Sequence, residues 1–334
     1  MSKKLIRLGI IGAGSIGSLF GGTLADVQSS EYSIEMIFFG RKAHVEEINK
    51  NGLIFESDQK VRKIRNISAY ENPELYTTAL DSVPIGFDFL FLCTKTYDIE
   101  SALNEYKKII DESKWLVVLQ NGIGNEDLIK DFCPKEKILR IVTSHGALLK
   151  APGHVIHTGI GFTKIGVFFK EYVKSHKKEY GKIQYDIDLL KILLDLAGFN
   201  TIVVADILVE CWEKIFINIG INPFGALTGL TNGELLKIEG LKQLMAEAVN
   251  EAIHIAQKKE IKLPTKDFVE IMYEVARKTS ENKNSMLQDV LKGKRTEIDF
   301  INGRIVKYAK ELGVKVPINE TLTYLMKGIE KAEN

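Results

Sequence analysis

The segment "LIRLGIIGAGSIGSLFGGTLAD", residues 5 to 26, constrains this chain more than any other. Leu5 to Ile11 form an apolar run of strand length, Gly12-Ala13-Gly14-Ser15-Ile16-Gly17 follow without a gap, and Leu19, Phe20 and Leu24 then recur at helical spacing. Gly-x-Gly-x-x-Gly between a strand and a helix is the signature of a dinucleotide-binding βαβ unit. Each glycine answers a separate need: Gly12 the tight turn, Gly14 the approach of backbone to a pyrophosphate, Gly17 the close packing of helix on strand. Ser15 and Ile16 open the helix, whose first N–H groups then face the negative charge of the cofactor. A glycine-rich turn without a ligand is the alternative, and correct flanking elements on both sides weigh against it.

The second strand, in "SIEMIFFGRKAH", ends where the ribose 2′ position should lie. NAD-specific proteins place an acidic residue there, whereas this chain has Gly40-Arg41-Lys42. An acidic group would repel a 2′-phosphate and a guanidinium can grip it with two N–H bonds, so NADPH (or NADP+) is expected over NADH, with a solvent-exposed loop cation as the alternative for Arg41. "FDFLFLCTKTYD" and "KWLVVLQNGIGNE" read as buried parallel strands, each followed by a turn and a helix start. Ligands of such sheets lie beyond the carboxyl ends of the strands, which puts Thr94, Lys95, Gln120, Asn121 and Gly122 near the cofactor. "KILRIVTSHGALLK" and "GHVIHTGIGFTKIGVFF" resemble further strands of the same sheet, and "DIDLLKILLDLAGFNTIVVAD" a helix and a last strand. The fold class is therefore α/β, a Rossmann-like doubly wound sheet over residues 1–205.

From Asp206 onward the period changes to 3.6, with helices expected over 206–225, 233–259, 265–280, 297–312 and 319–330, an all-α domain filling 206–334. Asn232 reads as an N-cap with Glu234 in the first turn, and Gly313 with Pro317 marks the end of the fourth helix. A cleft between the two domains is the expected place for a ligand. One stretch of the first helix stands out, "WEKIFINIGINPFGAL" at 212–227, where Lys214, Asn218 and Asn222 recur every fourth residue among apolar neighbours. Such residues form one line along a helix, and burying an unpaired amide costs about 1–3 kcal/mol, an unpaired ammonium more. The line is either a seam satisfied by neighbouring backbone or a binding face, and periodicity alone does not choose.

Charge removes other classes of function. With 45 Lys+Arg against 44 Asp+Glu, nothing draws the chain to nucleic acid or an anionic membrane, and no apolar run reaches 18 residues. Cys93, Cys133 and Cys211 show no CxxC pairing and two lie in apolar segments, which fits a reducing cytoplasm. The apolar N-terminus runs straight into the glycine motif with no cleavage-type site, so no signal peptide is expected. His154 and His157, three apart on a strand, point to opposite faces, and no metal is expected. "KEYVKSHKKEYGK", 170–182, reads as a solvated loop or hairpin tip without chemistry.

"GAGSIG", "CTKTYD", "QNGIGNED", "WEKIFINIGINPFGALTG", "NGEL", "NSMLQDVLKGKRTEIDFINGRIV" and "GVKVPINETL" occur in this order over nearly the whole chain. Together they resemble the ketopantoate reductase (2-dehydropantoate 2-reductase) family. The resemblance implies a helical domain of the 6-phosphogluconate-dehydrogenase-like kind and NADPH-dependent reduction of 2-dehydropantoate to (R)-pantoate in pantothenate biosynthesis. It places Lys214 at the family's general acid and Glu297 at its catalytic carboxylate. It makes Lys95, Asn121, Asn218, Asn222, Asn282 and Ser285 substrate-binding positions, and extends the cofactor set of Gly12, Gly14, Ser15, Ile16, Gly17 and Arg41 to Lys95, Asn121 and Glu297. The expected partner is a small 2-oxo acid, and both a monomer and a homodimer fit.

The residue types suit that chemistry. As hydride reaches a C2 ketone, negative charge grows on its oxygen, which a nearby ammonium can stabilise and then protonate. Asparagines and a serine offer donors and acceptors to a substrate bearing a carboxylate and a hydroxyl. Without the resemblance, Glu297 could equally be a helix N-terminal acid and Ser285 a cap. Two other functions compete: a paralogous NADPH-dependent reductase of another 2-oxo acid, and a non-catalytic NADPH-binding sensor, which would not need Lys214 and Glu297.

Overall fold

The first half folds into strands, the central ones burying both faces under helices. In the computed structural model, which describes residues 2–58, 60–80, 84–170 and 180–332, they are β1 (Lys4–Ile11), β2 (Tyr32–Phe39), β3 (Leu53–Ser57), β4 (Lys60–Ile64), β5 (Ile67–Tyr70), β6 (Phe89–Leu92), β7 (Trp115–Val118), β8 (Ile138–Thr143), β9 (Gly146–Ala151), β10 (His154–Gly159), β11 (Thr163–Val167) and β12 (Thr201–Val203). Helices α1 (Ser15–Ala25), α2 (Lys42–Asn51), α3 (Pro73–Ala79), α4 (Ile99–Glu105), α5 (Lys107–Glu112), α6 (Glu126–Ile129) and α7 (Tyr180–Leu196) accompany them. The main sheet has eight strands in the order β12-β11-β8-β7-β6-β1-β2-β5, parallel except where β11 meets β8. The chain winds outward through β2 to β5 on one side and from β6 through β7 to β8 on the other, so the order reverses between β1 and β6, where doubly wound sheets bind ligands.

Central strands have no polar alternation because they have no solvent face: "FLFL" of β6 and "WLVV" of β7 are buried at every position. The register of β1 on β2 runs from Lys4↔Tyr32 to Ile11↔Phe39, so Gly12 and Gly40 leave the sheet at the same height. Rings lock the flanking helices: Phe20 of α1 stacks on Phe199 at 4.1 Å between centroids, and Phe39 meets Tyr76 and Tyr106 edge-on at 5.4 and 5.1 Å. Ile183, Ile187, Leu190 and Leu194, at helical spacing on α7, join the same core. Burial of each side chain of this size is worth about 1.5–3 kcal/mol.

Two expected strands leave the main sheet. β9 and β10 form a hairpin that joins β3 and β4 in a second sheet of order β4-β3-β10-β9, while β8 and β11 continue the first. The cause is legible in burial: "ILRIVT" of β8 is buried throughout, whereas "GALLKA" and "HVIHTG" are half-buried or exposed at nearly every position, as suits a hairpin covered on one face. Of the charged stretch 170–182, residues 171–179 lie outside the described residues, and α7 begins at Tyr180.

The chain divides into two compact units, a sheet unit of Met1–Gln120 with Glu126–Ile207 and a helical unit of Asn121–Asn125 with Leu208–Asn334. The second junction lies between Ile207 and Leu208, and five residues that follow β7 in sequence group with the helices. The helical unit is built of α8 (Ile207–Thr228), α9 (Asn232–Leu235), α10 (Glu239–Lys258), α11 (Phe268–Lys278), α12 (Ser285–Val290), α13 (Asn302–Leu312) and α14 (Pro317–Ala332). Its core gathers on α8, where Trp212 stacks with Tyr308 and Phe216 packs on Phe268 at 5.0 Å.

Three helical expectations change. The span 233–259 breaks after α9 because Ile238 takes extended dihedrals, φ −107° and ψ 105°. Its N-cap is Thr231 rather than Asn232, since Thr231 and Glu234 form a reciprocal capping box and Asn232 becomes the first helical residue. The span 297–312 starts as a 3-10 turn, Ile298–Phe300, before α13, and α12 is an additional short helix. Gly313 does end α13, in the left-handed region at φ 67°. Among the described residues no helix is long and apolar enough to cross a membrane.

Candidate active site

In the sheet unit, the glycine turn leaves β1 with Gly12 at φ +87°, a value that strains any residue with a side chain. A methyl on Gly12 would also lie 2.7 Å from the Thr94 amide nitrogen, so the end of β6 closes directly on the turn. On Gly17 it would meet the Gly12 carbonyl oxygen at 2.4 Å, the close helix–strand contact that its place in the motif predicts. Gly14 is exposed and would meet nothing within 4 Å, leaving open space beside the backbone. No side chain caps the N-terminus of α1 and no acid occupies its first turn. Open space next to uncapped amides fits a pyrophosphate.

Four more of the expected cofactor positions, Ser15, Ile16, Arg41 and Lys95, follow the carboxyl ends of β1, β2 and β6, whereas Asn121 and Glu297 group with the helical unit. Ser15 is committed by its oxygen to β9, accepting the Leu149 N–H at 3.0 Å, and Ile16 packs against the core. Arg41 is exposed and stands as the N-cap of α2, one residue beyond Gly40, with Lys42 exposed beside it. Gln120 Nε2 donates to Thr94 Oγ1 at 2.8 Å, joining the ends of β6 and β7, and half-buried Lys95 precedes the 3-10 turn Thr96–Asp98.

In the helical unit, three residues far apart in sequence meet. Lys214 Nζ donates to Asn121 Oδ1 at 2.7 Å, and Asn121 Nδ2 donates to Glu297 Oε2 at 3.2 Å. The two partners settle which way the Asn121 amide faces, oxygen to the cation and nitrogen to the carboxylate. Glu297 is 6 % exposed, so its charge needs such a donor. It is not the dipole-favoured acid of a long helix, since it precedes only a 3-10 turn and makes no capping bond.

Backbone conformation delivers Asn121 to this place. Gly122 has φ +80°, and a methyl there would lie 2.6 Å from the Phe300 carbonyl oxygen, so only glycine lets the segment sit on the turn after Glu297. The Ile123 N–H reaches the same oxygen at 3.4 Å, and Asn125 Nδ2 holds the Asn121 carbonyl at 3.0 Å. The Glu297 turn is itself held from behind: Thr296 donates through its N–H and its hydroxyl to Glu330 Oε1 on α14, at 2.7 and 2.6 Å, and Lys327 pairs with Asp299 at 2.6 Å.

Lys214, Asn218 and Asn222 lie along α8 as read, the first two half-buried and Asn222 6 % exposed. Ser285 is exposed at the start of α12 and is not its cap; that is Asn284, whose Oδ1 accepts the Leu287 N–H at 3.0 Å. Asn282 is exposed just before, its carbonyl accepting the Asn232 N–H at 3.0 Å. Sequence reasoning missed Thr296, Asn284 and Glu330. Asn284 before an apolar pair is a cap signal that was there to find, whereas nothing local links Thr296 to a residue 34 positions later. His154 binds Glu56 at 2.9 Å and His157 faces His145 at 3.0 Å, which accounts for both histidines of the hairpin.

Comparison with known proteins agrees over the full length. The family profiles "Ketopantoate reductase PanE/ApbA" and "Ketopantoate reductase PanE/ApbA C terminal" match residues 8–169 and 206–330. The chain is 36 % identical to a 2-dehydropantoate 2-reductase of Pyrococcus horikoshii, over 97 % of this chain and 98 % of the relative. To one of Archaeoglobus fulgidus it is 33 % identical over 98 % and 99 %. Among solved structures, a PanE/ApbA family ketopantoate reductase from Ralstonia eutropha JMP134 superposes with a TM-score of 0.82 at 27 % identity, covering 98 % of this chain and 99 % of that one. A D-mandelate dehydrogenase with NADH and anilino(oxo)acetate reaches 0.83 at 26 % identity, covering 98 % and 100 %. The ordered motifs, the glycine turn at the switch point and matches spanning both units agree: this chain belongs to the ketopantoate reductase family.

Proposed function

We propose that this protein reduces 2-dehydropantoate to pantoate with NADPH, an oxidoreductase reaction on a ketone. The observation that carries the reading is the Lys214–Asn121–Glu297 chain, an ammonium held by an amide that is itself held by a buried carboxylate. The dinucleotide supplies the hydride when bound. Its pyrophosphate fits the open face of Gly14 and the α1 amides, and its 2′-phosphate fits the exposed guanidinium of Arg41.

The protein's own part is the proton and its placement. Lys214 offers Nζ–H to the ketone oxygen as charge grows there and gives up a proton to complete the alcohol. Asn121 fixes the direction of the ammonium by accepting one of its N–H bonds, and Glu297 keeps the charge on the lysine balanced through the same amide. The polar line of α8 thus reads as a binding face, with Asn218 and Asn222 continuing it and Asn282 and Ser285 as further polar candidates of the helical unit; Lys95 is a polar candidate of the sheet unit.

The D-mandelate dehydrogenase likeness favours a second reading, reduction of another 2-oxo acid by the same machinery, because pocket shape rather than the acid decides between such substrates. A panel of 2-oxo acids with NADPH and with NADH separates the two. The expected result is fastest turnover with 2-dehydropantoate and NADPH; no turnover of it alongside rapid reduction of an aryl 2-oxo acid would establish the second reading instead.

A further inference from the structure

His44 is buried, 4 % exposed, and no step of the proposed reaction uses it. Its ring joins three segments. Nδ1 accepts the backbone N–H of Gly153, at the β9–β10 turn, at 2.8 Å, so the ring proton belongs on Nε2. Nε2 lies 3.0 Å from Ser18 Oγ on α1, and with Nε2 as donor the serine is left to donate to the Ala13 carbonyl, 3.2 Å away inside the glycine turn. His44 itself lies in the first turn of α2, where its N–H donates to the Arg41 carbonyl at 2.9 Å. Burial holds the imidazole neutral, with its pKa lowered to about 4, so this donor and acceptor pattern persists at physiological pH.

The two phosphate-recognising elements of the sheet unit, the turn that faces the pyrophosphate and the helix start that carries Arg41, are therefore tied through one side chain. The backbone adds a second tie on the strand side, where the Gly12 and Ala13 N–H groups both donate to the Phe39 carbonyl, at 3.1 and 2.9 Å. On the helix side the His44–Ser18 bond spans the gap between α2 and α1, and Ser18 is wholly buried.

We propose that His44 is a positioning residue for cofactor recognition, holding the Arg41 end of α2 at a fixed distance from the glycine turn through Ser18 and anchoring both to Gly153. The proposal rests on the dinucleotide reading given above. It requires that loss of the ring's polar atoms weaken nucleotide binding while the chemical step at saturation survives.

The test is nucleotide titration and steady-state kinetics on His44→Phe, which keeps a ring of similar size without nitrogens, on His44→Gln, which keeps a donor near the Nε2 position, and on Ser18→Ala. Loosening a preorganised pair of anchors should raise the Kd and KM for NADPH about tenfold in His44→Phe and in Ser18→Ala, with kcat at saturation within about twofold of the parent and partial recovery in His44→Gln. Unchanged Kd and KM in whichever of these variants fold, whatever their Tm, would overturn the inference. An unaltered protein that binds neither NADPH nor NADH would overturn the dinucleotide reading and this inference with it. Arg41→Ala separates the remaining case: a lost preference for NADPH there, beside an unaffected His44→Phe, leaves the cofactor reading intact and removes only the role given to His44.

Discussion

The two units build their candidate sites from different materials. The sheet unit presents backbone: absent side chains at Gly12, Gly14 and Gly17, uncapped amides at the start of α1, and one guanidinium at the rim. The helical unit presents side chains, an ammonium, an amide and a carboxylate brought from positions 214, 121 and 297. A backbone site is written in one continuous motif because neighbouring residues make it. A side-chain site of this kind is scattered through the sequence because only tertiary packing assembles it.

The contrast can be broken from either side. Lys214→Ala has the largest expected effect, a fall in kcat of about a thousandfold, the usual scale for a general acid, with NADPH affinity unchanged because the lysine belongs to the other material. A kcat within tenfold of the parent would remove Lys214 from the chemistry and revive the sensor reading. Gly122→Ala comes next. A side chain there clashes with the Phe300 carbonyl oxygen and occupies a left-handed conformation, so Asn121 shifts and kcat should fall roughly a hundredfold, more than nucleotide affinity does. A larger effect on NADPH affinity than on kcat would show that the segment serves the cofactor first.

Arg41→Ala probes the sheet unit. Losing a charge-assisted pair to the 2′-phosphate should raise the KM for NADPH about tenfold and leave that for NADH within twofold. Equal changes for both cofactors would assign Arg41 to the solvent. The smallest effect concerns pH. Burial lowers the pKa of both His44 and His145 to about 4, and His145 is pressed further by His157. An unfolded chain takes up these protons near pH 6.5 and the folded one only near 4, so stability is fully present above 6.5 and declines as pH falls between the two values. By pH 5.5 each ring should have removed on the order of 1 kcal/mol. Both rings lie in the sheet unit, and the two tryptophans divide between the units, Trp115 in one and Trp212 in the other. Urea unfolding followed through each, with the other replaced by Phe, should show the acid loss mainly at Trp115; equal loss at Trp212 would place the sensitivity elsewhere.

Much of this was legible in the sequence, for reasons that particular residues make plain. β1, β6 and β7 announce themselves because buried parallel strands are unbroken apolar runs, and the Lys214 line announces itself because polar groups at helical spacing are conspicuous in an apolar helix. The β9–β10 hairpin joins a different sheet from the one its sequence suggests, because apolar content shows that a segment is extended but not which edge it joins. The break before α10 was hidden because "LLKIEG" continues a helical pattern that the backbone at Ile238 abandons. The family resemblance named Lys214, Asn121 and Glu297, yet the hydrogen bonds that order them, and the Glu330 and His44 contacts behind each site, depend on distances that no local pattern encodes.

The five residues Asn121–Asn125 carry a consequence for building chimeras from this family. A cut at the evident junction near Ala205 would separate the parental origin of Asn121 from that of Lys214 and Glu297, although all three form one hydrogen-bonded chain. A graft of the helical half onto a foreign sheet half therefore inherits its amide from the host. Compatible exchange requires moving "NGIGN" together with everything from Leu208 onward, so that the portable module is discontinuous in the gene while continuous in space.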